Sequence, residues 1–115
     1  MKIIDASALL AMLRKETGGE KIAELMIESK SAGASIFMHA INYTEVIYKC
    51  RKLYGEKETN LIIADLTSPF FGIMNYLDDR LTLYAAHLKA NYHLALGDAI
   101  GLAHTKIMNG TFWTA

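Results

Sequence analysis

The stretch Lys2-Ile3-Ile4-Asp5-Ala6-Ser7-Ala8-Leu9-Leu10-Ala11-Met12-Leu13 decides how the whole chain is read. A short apolar run ends abruptly in a carboxylate. It passes at once into helix-forming residues, with Leu9, Met12 and Leu13 at helical spacing, which reads as strand, turn, helix. Asp5 then stands at the carboxyl end of a strand. In open α/β sheets ligands bind at that edge, because strand ends and helix starts converge there around a crevice. A second reading stays open for the same residue: Asp5 or Ser7 caps the helix by accepting a hydrogen bond from an orphaned N–H of its first turn.

Outward from this stretch the alternation continues. Thr17-Gly18-Gly19 breaks the first helix, and Glu20 to Lys30 resumes an amphipathic pattern with Ile22, Leu25 and Met26 on one side. Ser35-Ile36-Phe37-Met38-His39 has the length and content of a buried strand. Ile41 or Asn42 opens a helix to Tyr54, with Tyr43, Val46, Ile47, Cys50, Leu53 and Tyr54 on one stripe and Glu45 off it. Gly55 stops that helix, and Glu56 to Leu66 forms another. Phe70 to Tyr76 contains a third strand. Leu77 or Asp78 starts a helix that runs through Leu83, Ala86, His87 and Ala90 to Asn91. A small-residue helix extends from about Asp98 to Met108, Asn109-Gly110 closes it, and Thr111-Phe112-Trp113-Thr114-Ala115 begins a fourth strand. Strands separated by helices predict an α/β fold, a mostly parallel sheet of about four strands with helices on both faces.

Composition narrows the function. The chain has 115 residues, 52% of them hydrophobic, and a single proline, so residues 1–115 read as one globular domain and not a disordered tail. Twelve basic side chains balance twelve acidic ones. A nucleic-acid partner therefore requires a local patch, a metal or a second protein, since no large net charge supplies nonspecific attraction. The lone Cys50 can form no internal disulfide, which fits a reducing compartment. No run reaches the ~18 apolar residues of a membrane span, and Asp5, Arg14, Lys15 and Glu16 interrupt the apolar N-terminus. The expectation is a cytoplasmic protein that does not engage a membrane.

Three carboxylates share one placement: Asp5, Glu45 and Asp98 each stand at or near the start of a helix, where parallel strands deliver their carboxyl ends. Asp98 is the only charged residue between Lys89 and Lys106 in a run of small and apolar residues, so its helix is buried on most faces and the ion needs a partner. Bland readings exist for each. Asp98 complements the helix dipole with Gly97 as cap, Glu45 lies on a solvated face, and Ser7, Asn42 and Thr44 cap or bond locally. Thr111 and Thr114 read as ordinary strand residues. If the three carboxylates converge, like charges that close need a cation, and hard oxygen ligands select Mg²⁺ or Mn²⁺. Such a site suits metal-assisted phosphodiester hydrolysis. Other chemistries find little support: His39, His87, His93 and His104 lack metal-ligand spacing, one cysteine excludes a zinc knuckle, and there is no P-loop, GxGxxG or GxSxG.

Three segments, Ile4-Asp5-Ala6-Ser7-Ala8-Leu9-Leu10, Asn42-Tyr43-Thr44-Glu45-Val46 and Leu96-Gly97-Asp98-Ala99-Ile100-Gly101-Leu102-Ala103-His104-Thr105, closely resemble in order and spacing the motifs of PIN-domain ribonucleases. The likeness runs the length of the chain and is nearest to the small VapC-type toxins of toxin-antitoxin pairs. The resemblance implies a PIN-like three-layer fold in which Asp5, Glu45 and Asp98 are catalytic and hold Mg²⁺ or Mn²⁺, with Ser7 as a supporting contact. It further implies an RNA substrate, an antitoxin that packs into a groove beside the site, and a homodimer. One feature departs from the pattern. The family usually carries a further Asp just after the strand that here reads Thr111 to Ala115, so relative to that pattern the fourth acid and the C-terminal strand are missing. The alternative reading is a PIN-like RNA-binding or protein-assembly module without catalysis.

Overall fold

Ile3 and Ile4 are both fully buried, which two successive strand residues achieve only when both faces of their sheet are covered. The computed structural model describes every residue from Met1 to Ala115. Its elements are β1 (Lys2–Ile4), α1 (Ala6–Leu13), α2 (Gly19–Ser31), β2 (Ile36–His39), α3 (Ala40–Leu66), β3 (Phe71–Met74), α4 (Asp79–Tyr92), α5 (Leu96–Ile107) and β4 (Thr111–Trp113). The sheet order is β3-β2-β1-β4. Every pairing is parallel, with Ile3 opposite Phe37 on one side and Phe112 on the other. The α/β architecture expected from the alternation is the one observed. No helix is long and apolar enough to cross a membrane.

Two cores flank the sheet. Ile4, Ile36 and Met38 pack with Leu9 of α1, Ile22 and Leu25 of α2, and Val46 and Cys50 of α3. A second cluster joins Leu81, Ala85 and Leu88 of α4 to Ala99, Ile100 and Ala103 of α5. Because strand side chains alternate, the residues between those of the first core, such as His39, turn toward α5, where the His39 and His104 rings meet edge to face at 6.0 Å.

Several boundaries differ from the periodicity reading. The helices on either side of Gly55 abut without a loop: Gly55, at φ +83° and ψ 172°, breaks the helical path inside α3, in a region open in practice only to glycine. The buried stripe of the first segment is narrower than expected. Asn42, Val46 and Cys50 are buried at four-residue spacing, whereas Leu53 and Tyr54 face solvent at 52% and 41% exposure as the helix nears its kink. In α4 the buried face is Leu81, Ala85 and Leu88, and Leu83 points outward. Asp78 stands outside α4 as its cap, accepting from the Leu81 N–H at 2.9 Å. Gly97 is no cap either, since α5 starts one residue earlier and takes Ala95 as its N-cap.

His104 is fully buried, and neither ring nitrogen has a hydrogen-bond partner. Burial, and next the neighbouring His39, push its pKa below 6.5. A group depressed in the fold contributes stability that is complete above its unfolded value and is lost as pH falls through its folded one. We expect His104→Leu, which deletes two unsatisfied polar atoms at similar volume, to stabilise the protein by ~1–2 kcal/mol. Urea denaturation at neutral and mildly acidic pH checks this, and the variant should lose part of the acid sensitivity below 6.5.

Candidate active site

The carboxyl end of β1 delivers Asp5 into a buried position, 1% exposed. Its Oδ1 accepts from the Ala8 N–H and from the Ser7 hydroxyl, both at 2.8 Å. Its Oδ2 accepts from the Thr114 hydroxyl at 2.6 Å. Asp5 is thus the N-cap of α1, as one reading held, and the same bonds orient its carboxylate. Thr114, immediately after β4, is a site residue that its sequence context does not reveal. It reads as an ordinary strand threonine until β4 pairs with β1 and brings it beside Asp5. The Ser7 and Thr114 oxygens lie 3.1 Å apart, so the two hydroxyls that donate to Asp5 sit side by side over its carboxylate.

Asn42 ties the site together. It lies inside the first turn of α3 and is 1% exposed. Its Oδ1 accepts from the Ala6 N–H at 3.2 Å, and its Nδ2 donates to the Gly97 carbonyl at 3.0 Å. The starts of α1, α3 and α5 are thereby clamped by one amide, where a local capping role had been the expectation. His39, not Asn42, caps α3, its Nδ1 accepting from the Ile41 N–H at 3.1 Å.

Glu45 and Asp98 enter from the other two helix starts. A β-carbon on Gly97 would stand 3.3 Å from Asn42 Oδ1 and 3.8 Å from Glu45 Oε2, so the Glu45 carboxylate reaches the first turn of α5. The Asp98 carboxyl is pushed above the ordinary aspartate range. Burial is the largest cause, followed by the charge of Asp5, hydrogen bonding with Asp5, and the charge of Glu45, with Lys49 opposing. Asp5 and Glu45 therefore both act on Asp98. The cluster is nevertheless open: no three acidic, histidine or cysteine side chains stand close enough to chelate one ion. Glu45 instead leans on Lys49, with Oε1 3.2 Å from the ammonium.

The donors suit a hard divalent cation. Asp5 and Asp98 offer carboxylate oxygens, no thiolate or imidazole takes part, and the net negative charge is only partly offset by Lys49. Asp5 and Asp98 are the residues that could hold it, with Glu45 available once released from Lys49. Bonds that orient a ligating carboxylate commonly matter ~10–100-fold in metal affinity. We expect Thr114→Val, which leaves the strand intact and removes the donor to Oδ2, to weaken Mn²⁺ binding about tenfold in isothermal titration.

A family model described as PIN domain matches residues 2–115. The chain belongs to the PIN domain family. Among solved structures, this PIN domain is similar to a toxin-antitoxin complex from Klebsiella pneumoniae, with 19% identity, a TM-score of 0.68, and coverage of 97% of this chain and 83% of that one. It is also similar to VapC20 of Mycobacterium tuberculosis, described as a toxin that cleaves the sarcin-ricin loop, with 12% identity and a TM-score of 0.76 over 100% of this chain and 89% of that one. At such identities the likeness is one of fold. No curated protein matches the chain in sequence.

Proposed function

We propose that this PIN domain is a Mg²⁺- or Mn²⁺-dependent endoribonuclease of the cytoplasm, acting as the toxin of a toxin-antitoxin pair. The observation that supports it best is that Asp5 and Glu45, carried by two other elements, both raise the Asp98 carboxyl at the strand-end edge of the sheet. Negative charge gathered beside the buried Asp5 is costly without a cation. When bound, the divalent ion supplies Lewis-acid stabilisation of phosphoryl charge and a nucleophilic water. Asp5, held by Ser7, Thr114 and the Ala8 N–H, presents a carboxylate that cannot swing away. Asp98 would hold the ion in its ionised form, so metal affinity would rise with pH through the ionisation of that raised carboxyl. Glu45 joins them directly or by orienting a water.

A partner surface accompanies this reading. Met12, Leu13, Met26, Ile27, Ile62 and Leu66 line an apolar depression between α1, α2 and the second segment of α3, with Ile27 largely exposed. It would receive an apolar antitoxin segment. Association with a second copy of the chain is part of the same proposal.

The open arrangement of the carboxylates and the Glu45–Lys49 pair favour a second reading, a non-catalytic RNA-binding or assembly module. Incubating labelled RNA with the protein in Mn²⁺, in Mg²⁺ and in EDTA separates the two. Cleavage in metal and none in EDTA supports the nuclease. RNA retention without cleavage in any condition supports the module.

A further inference from the structure

The first segment of α3 carries a stripe that continues beyond the carboxylate site. Glu45, Tyr48, Lys49 and Lys52 fall at i, i+3, i+4 and i+7, a single stripe that starts at the candidate site and runs about 10 Å along the helix axis. From Glu45 to the next acid, Glu56, every charged residue is basic: Lys49, Arg51 and Lys52. Lys49 is engaged by Glu45, whereas Arg51 and Lys52 have no carboxylate partner. Tyr48 stands between them, 54% exposed, with the Lys52 ammonium 5.4 Å from its ring centroid. Tyr48, Arg51 and Lys52 share one open depression with Thr44 and Ile47.

An exposed aromatic beside unpaired cations fits a nucleic-acid strand, which stacks a base on the ring and sets phosphates against the charges. It also supplies the local basic patch that a chain of zero net charge needs in order to hold RNA. A second copy of the chain would have to bring an acidic face to the same place. The bland account, cations complementing the dipole near the end of a helix, explains the charges but not an exposed tyrosine among them.

We propose that this stripe is the track by which single-stranded RNA enters the site, with a base stacked on Tyr48 and backbone phosphates paired with Arg51 and Lys52. The inference rests on the nuclease reading for its destination, but RNA binding on the track needs no metal and can be measured separately. Glu45 lies one helical turn from Tyr48, so a strand held here runs toward the carboxylates.

The test is fluorescence anisotropy with a short fluorescein-labelled single-stranded RNA of mixed sequence, in EDTA, across a salt series. Tyr48→Ala is expected to weaken binding about tenfold, while Tyr48→Phe, which keeps the ring, binds like wild type. The double variant Arg51→Gln with Lys52→Gln should lower the salt slope by roughly 1.4, the value for two phosphates on a single strand. Absence of saturable binding by the wild type, an unchanged slope in the double variant, or equal losses in Tyr48→Ala and Tyr48→Phe would each overturn the track. So would a variant whose mass by light scattering falls to half that of wild type, since the face would then be an interface between copies. Cleavage with unaltered binding in the variants removes the track and leaves the nuclease; variant-sensitive binding without cleavage does the reverse.

Discussion

Asp98→Asn is expected to abolish metal-dependent RNA cleavage and, in the same protein without metal, to raise the melting temperature. The first effect follows from removing one of the two carboxylates proposed to hold the metal directly. Loss of several kcal/mol of charge stabilisation corresponds to a rate decrease on the order of a thousandfold or more. The second follows from the raised carboxyl. A group whose pKa is higher in the fold than in the unfolded chain contributes stability that is complete below the unfolded value, 3.8 for aspartate, and lost as pH rises through the folded one. Once ionised, Asp98 therefore opposes folding, through burial and through the charges of Asp5 and Glu45. Asparagine carries no charge at any pH and escapes this. Thermal melts in EDTA should show Asp98→Asn above wild type at neutral pH, with the gap closing toward acid, whereas saturating Mn²⁺ should stabilise only the wild type. A variant that melts lower than wild type in EDTA would mean that the favourable first-turn position of Asp98 outweighs the repulsion. Undiminished cleavage would remove Asp98 from the site.

Asn42→Ala is expected to be among the most destabilising single changes at the site, by about 3 kcal/mol, because it leaves two buried backbone groups unpaired at ~1–3 kcal/mol each. The orphans are the Ala6 N–H and the Gly97 carbonyl, which belong to the starts of α1 and α5. Chemical denaturation measures the loss directly. The relation between Asp5 and Asp98 also depends on this amide, since each follows or lies beside one of the clamped junctions. RNA cleavage by Asn42→Ala should therefore fall even at temperatures where the variant remains folded. Asn42→Asp is the informative companion: it keeps an acceptor for Ala6, loses the donor to Gly97, and adds a negative charge beside Asp98. It should be less stable at neutral pH than in acid. A variant with wild-type stability and activity would show that the clamp is incidental.

Local order was legible in the sequence. The abrupt end of Ile3-Ile4 at Asp5, the alternation of apolar strands with amphipathic helices, and the charge-poor run around Asp98 depend on periodicity and composition within short windows. They are sufficient for a parallel α/β sheet with carboxylates at its strand ends, and the motifs of those same segments pointed to the PIN family. What remained hidden was whatever depends on residues distant in the chain. Thr114 meets Asp5 across 109 positions only because β4 pairs with β1 in one register. Asn42 looked like a local cap, yet its amide spans two other helix starts. The exposure of Leu53 and Tyr54, and the outward turn of Leu83, follow from which part of each apolar stripe the sheet and neighbouring helices cover. The placement of Glu45 against Lys49, and not in a closed cluster, is likewise a matter of packing and charge. Sequence determined the elements and the carboxylates at their ends, because turn and stripe patterns act within a few residues. Only the tertiary structure decided which polar groups hold those carboxylates in place, because burial and hydrogen-bond geometry arise when distant segments pack together.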